Sequence, residues 1–87
     1  MDDLTLLSIK DAFTILGRKH SSGYSDIAAG LITRPIAYGP QSKRLPLGEV
    51  RRIAAARIAG ATDDEVRSLV VRLHAERKGL VPERAAA

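Results

Sequence analysis

Five cations pose the chemical question. Arg18, Lys19, Arg34, Lys43 and Arg44 lie in the central part of the chain, interspersed with His20, Ser21, Ser22, Ser25, Gln41 and Ser42. Guanidinium and ammonium groups set among hydroxyls and an amide bind phosphates and the edges of bases. The charge is unevenly spread. The 87 residues carry a net +4, yet residues 1–16 hold one Lys against three Asp, and residues 58–87 hold five cations against five acids. Residues 17–57 hold eight cations against Asp26 and Glu49. Positive charge concentrated in one stretch favours a polyanionic partner. A solvated face that serves solubility is the plain alternative for each of these side chains.

Other chemistries lack their groups. The chain has no cysteine, which excludes disulfides and thiolate metal sites and fits a reducing cytosol. His20 and His74 are far apart in sequence, and no other spacing suits a metal. His20 beside Ser21 and Ser22 has no evident orienting carboxylate, and adjacent turn residues rarely face each other, so a polar contact surface is the simpler reading. Asp63, Asp64 and Glu65 fall where a helix begins, and capping explains them better than acid–base catalysis. No glycine-rich phosphate loop is present. We therefore expect no enzyme, no catalytic residue, no metal, no cofactor and no small-molecule substrate. No apolar run approaches the roughly 20 residues of a membrane span. Asp2 and Asp3 give no basic signal-peptide start. The sequence reads as a soluble cytoplasmic protein, associated with the nucleoid.

The elements that must position the cations follow from caps and periodicity. Ser8 can cap a first helix, with Asp11 at its amide end and Ile9, Ala12, Phe13 and Leu16 as its apolar stripe. Gly17 ends it, and Leu4, Leu6 and Leu7 form a short extended segment before it. Arg18 to Ser21 is a turn, and Ser21 or Ser22 caps a second helix that ends at Gly30. Tyr24, Ile27 and Ala28 are its inward face. Gly23 inside it costs about 1 kcal/mol relative to Ala, so a close approach by another group is expected there. Arg34 to Tyr38 and Arg44 to Leu47 read as the two strands of a ribbon, with Pro35 and Pro46 at its edges; a structureless loop is the alternative, since the alternation is short. The third helix runs from Glu49 to Ala59. Thr62 and Glu65 form a capping box before a fourth helix that reaches about Gly79. Val66, Leu69, Val70 and Leu73 are its stripe, and Pro82 to Ala87 a frayed tail.

One pattern joins the central residues. Gly17, Ser21, Tyr24, Ile27, Gly30, Ile32, Pro35, Ile36, Gly39, Glu49 and Val50 stand in an ungapped order. In this the stretch resembles the AlpA-like regulators and related excisionases, small winged-helix DNA-binding proteins of phages and integrative elements. Ser25 and Ala28 stand where basic residues are common in that family, and Gly23, Thr33 and Leu45 also depart from its pattern. The second helix is therefore a small and weakly charged reader.

The resemblance implies a mainly α fold with a small β-hairpin wing, a winged helix-turn-helix plus an additional C-terminal helix. Residues 1–60 would form the DNA-binding domain. Residues 61–80 would pack on it or on a neighbouring protomer, and residues 81–87 would be a flexible tail. Arg18, Lys19, His20, Ser21, Ser22 and Ser25 would contact double-stranded DNA from the turn and helix. Arg34, Gln41, Ser42, Lys43 and Arg44 would do so from the wing. Arg51, Arg52 and Arg57 divide evenly between contact and plain surface. Val66, Leu69, Val70 and Leu73 would supply either core or an oligomer contact that lines copies up along DNA. The implied role is a sequence-tolerant architectural protein, an excisionase (recombination directionality factor) that works cooperatively with an integrase. An AlpA-like transcriptional regulator is the alternative, and a basic protein-interaction module is the rival from another class.

Overall fold

The computed structural model describes residues 3–80. The expected tail, Pro82 to Ala87, lies outside them. The order of elements is β1 (Leu6–Ser8), α1 (Ile9–Leu16), α2 (His20–Ala28), β2 (Ile36–Ala37), β3 (Lys43–Pro46), α3 (Leu47–Ile58) and α4 (Asp63–Arg77), followed by a 3-10 turn, Lys78–Leu80. The fold is thus mainly helical, with a small antiparallel sheet in the order β1-β3-β2.

Local signals account for most of these boundaries. Ser8 Oγ accepts the Asp11 amide at 3.1 Å, and Gly17 closes α1 in the left-handed region at φ 68°. Gly30 and Gly60 close α2 and α3 in the same region. In each case the following residue reaches back five positions: Leu31 N–H to Asp26 O at 2.8 Å, and Ala61 N–H to Ala56 O at 3.0 Å. This is the glycine-terminated helix ending that turns the next apolar residue inward. Thr62 and Glu65 exchange both bonds of the capping box at the start of α4.

The second helix corrects the expectation that Ser21 or Ser22 caps it. It starts at His20, and Lys19 occupies the cap without a side-chain bond. The three-residue turn is already closed by Arg18 N–H to Phe13 O at 2.8 Å. The His20 ring meets the Tyr24 ring edge-on at 4.8 Å, one turn along, and so favours helix before the serines. Gly23 is buried, and a Cβ placed there would lie 2.4 Å from Phe13 Cε2. The close approach expected at this glycine is made by α1.

The ribbon is shorter than the sequence suggested. Only Ile36 and Ala37 pair in β2, since Pro35 has no N–H and the Arg34 amide is bonded to α4 instead. The third helix opens at Leu47, two residues before Glu49, because Thr5 O and Asp3 O accept the amides of Leu47 and Gly48 at 2.7 and 2.9 Å. These carbonyls do the work of a cap that Pro46 lacks. The Cβ of any residue at position 48 would meet Asp3 Cβ at 2.8 Å, so only glycine fits.

The core has two halves joined by Leu16. Ala12, Phe13, Ile32, Leu45 and Val50 fill one; Leu31, Ile53, Val66, Leu69, Val70 and Leu73 fill the other. Of the two roles open to the fourth-helix stripe, core or oligomer contact, the single chain shows these residues in its core. Val66, Leu69, Val70 and Leu73 are between 0% and 8% exposed within a single chain, against Leu31 and Ile53. An 87-residue chain needs this helix to cover α3, and the stripe is not left over for a neighbour. Among the described residues, no helix is long and apolar enough to cross a membrane.

Candidate nucleic-acid interface

The turn of a helix decides which α2 side chains reach solvent. His20, Ser21, Tyr24, Ser25 and Ala28 are exposed, whereas Ser22, Asp26 and Ile27 are half-buried on the flanks and Gly23 is inside. His20, Ser21 and Ser25 thus share one outward face, and Ser22 lies at its margin. Tyr24 was read as core. It is 41% exposed, with its ring edge-on to Phe13 at 5.4 Å. The signal that could have placed it is its spacing: Tyr24 is one turn from His20 and about 100° round the helix from Gly23, on the flank and not on the inward line.

The hairpin stands beside this face. An open concavity of about 380 Å³ lies between α2 and the hairpin, with Tyr24 on one side and Gln41, Ser42, Lys43 and Arg44 on the other. Ser8 and Ile9, at the start of α1, form its floor. β3 is the central strand: Arg44 is held from both sides, opposite Ser8 and Ile36, and Lys43 from one, opposite Ala37. Tyr38 N–H donates to Ser42 O at 2.7 Å and closes the hairpin. The sheet thereby fixes the backbone that carries the two cations.

The ion pairs divide the cations into two groups. Arg51, Arg52, Arg57, Arg67 and Arg77 each meet a carboxylate, of Asp3, Glu76, Asp63, Asp64 and Glu49 respectively. Arg57 holds the Asp63 carboxyl below its ordinary pKa, chiefly by its hydrogen bond. Arg18, expected at the interface, is also taken: its guanidinium grips both oxygens of Asp26, at 2.7 and 3.2 Å. That pair joins the α1–α2 turn to the flank of α2 and cancels the one acid on that helix. Lys10, Lys19, Arg34, Lys43, Arg44, Arg72 and Lys78 have no carboxylate partner among the described residues. Of these, Lys43 and Arg44 line the concavity, and Lys19 stands at the start of α2.

Arg34 is placed differently from the expectation. It precedes β2, and its peptide is gripped by α4: its N–H donates to His74 Nε2 at 2.9 Å, and its carbonyl accepts from Arg77 Nη2 at 2.8 Å. Burial, together with the charges of Arg34 and Arg77, pushes the His74 pKa below its ordinary value, with Glu49 opposing. A neutral His74 is what its accepting role requires. Arg77 also makes two bonds to Glu49, at 2.7 and 2.6 Å, with both side chains largely buried. Partners separated by this much sequence carry no local signal.

Comparison with protein-family models, with curated proteins and with solved structures finds no match to this chain. The reading of the site rests on its own geometry and on the residue pattern already described. Among the described residues, no group of three or more acidic, histidine or cysteine side chains is arranged to hold a metal.

Proposed function

We propose that this chain binds double-stranded DNA as a winged helix-turn-helix. The nine-residue α2, about 10–12 Å across with its side chains, fits a major groove about 12 Å wide. The β2–β3 hairpin then lies along the flanking backbone. One observation carries the reading: Lys43 and Arg44, which meet no carboxylate among the described residues, line the concavity between the hairpin and α2.

The α2 face offers hydroxyls and an imidazole but no arginine, lysine, asparagine or glutamine. Those are the side chains that make two-point contacts with base edges. Affinity then comes mainly from phosphates and groove shape, and sequence preference is shallow. Such binding suits an architectural role. We infer that the protein is an excisionase of a mobile genetic element, assisting an integrase; the resemblance to AlpA-like and excisionase proteins supports this finer role. Cooperative alignment of copies along DNA loses the α4 stripe as its contact surface.

Fluorescence anisotropy with a labelled duplex tests the binding. Lys43→Ala and Arg44→Ala should each weaken binding to any sequence, and each should lower the slope of log K against log salt by about one unit. Full affinity in both variants would remove the hairpin from the interface; binding that unlabelled duplex does not compete would remove DNA as the partner and favour an acidic protein instead.

A further inference from the structure

Three polar side chains of α4 lie along one line. Arg67, His74 and Arg77 are at positions i, i+7 and i+10, two turns and then three residues apart, on neighbouring rows of one helix face. All three bond to the same segment, the connector between α2 and β2. Arg67 Nε donates to Ala29 O at 2.9 Å, at the end of α2. His74 Nε2 accepts the Arg34 amide, and Arg77 donates to the Arg34 carbonyl, just before β2. Leu31, Ile32 and Thr33, between these points, are buried. The connector is therefore held at both ends by α4 and in its middle by the core. It is also the covalent route from the helix that faces DNA to the hairpin.

We propose that α4 acts as a splint setting the hairpin against α2, with Arg67, His74 and Arg77 as positioning residues that touch no DNA. The proposal rests on the DNA-binding reading for its functional consequence, but the placement of the hairpin can be read without DNA. His74 is the informative member. It accepts through Nε2 only when that nitrogen carries no proton. Arg34 on the connector, Arg77 on its own helix and Glu49 on α3 are the charged groups around it. Protonation would turn Nε2 from an acceptor into a donor facing the Arg34 N–H, and that end of the splint would open.

Two variants separate an acceptor from mere bulk. His74→Leu removes the acceptor; His74→Gln supplies an amide oxygen that does not titrate. Amide spectra of free protein report residues 34–44, and anisotropy reports duplex affinity at about pH 7.5 and about pH 5.5. His74→Leu should displace the hairpin amides, speed hydrogen exchange at Arg34 and weaken DNA binding about tenfold, the effect of one lost positioning bond. His74→Gln should restore all three. Wild type should lose more affinity on acidification than His74→Gln does, and every other group is common to the two. Where His74→Leu melts below the assay temperature, Arg67→Met, at a half-exposed side chain, should shift the connector amides in its place. Unmoved hairpin amides in a folded variant, or moved amides with unchanged affinity, overturn the proposal. A wild type that binds no duplex sinks the DNA reading, and the amide shifts of the free protein still decide whether α4 places the hairpin.

Discussion

At the scale of single residues, polar groups are resolved by pairing, and one exception stands out. Thr33 is fully buried, and its Oγ1 has no hydrogen-bond partner among the described residues. A buried hydroxyl that bonds nothing forfeits its hydration without return. Thr33→Val keeps the branched shape and replaces the hydroxyl with a methyl. We expect stability to be unchanged or raised by about 1 kcal/mol, measured by urea unfolding with an unaltered m-value. A loss beyond about 1 kcal/mol would mean that the hydroxyl is bonded after all. The contrast with Glu49 is instructive. Glu49 is also buried, but both its oxygens meet Arg77. Breaking such a pair leaves an uncompensated charge inside.

At the scale of elements, α2 is the vulnerable part. It has no side-chain cap, and among the described residues it is the helix whose glycine touches a core aromatic ring. Gly23→Ala would push a methyl into Phe13, itself only 3% exposed and unable to swing away. The expected outcome is a loss of about 2 kcal/mol, with DNA affinity falling as α2 is displaced. A thermal melt and a binding isotherm on the same preparation check both. Near-native stability would show that α2 can slide on α1 without cost. Much of this level was legible in the sequence. Ser8, Gly17, Gly30, Gly60 and the Thr62–Glu65 box each mark a boundary through bonds within one turn. The start of α2 was misread because its determinants, the Arg18–Phe13 bond and the His20–Tyr24 contact, compete with the serines' capping preference. The pairing of β1 with β3 was not foreseen. Nor were the contacts of Arg34, His74 and Arg77, which join residues some 40 positions apart in the chain. Local propensity carries no information about such bonds.

At the scale of the whole molecule, the question is whether net charge or its placement governs binding. The sequence showed where cations are dense, in residues 17–57, but not which of them were spoken for. The fold divides that stretch: Arg18, Arg51, Arg52 and Arg57 are paired, and Lys19, Arg34, Lys43 and Arg44 meet no carboxylate among the described residues. Two double variants separate the explanations, since each moves the formal net charge from +4 to zero. Lys43→Glu with Arg44→Glu places the change on the hairpin. Arg72→Glu with Lys78→Glu places the same change on α4, at exposed cations that also lack a carboxylate partner among the described residues. If a diffuse positive field attracts DNA, both variants should lose affinity equally, and added salt should weaken each in the same proportion. If the hairpin lies on the backbone, the first should lose about a hundredfold or more while the second loses only a few-fold. The salt slope should fall by about two units in the first and barely move in the second. Equal losses in the two variants would reduce the concavity between α2 and the hairpin to an incidental feature of the surface.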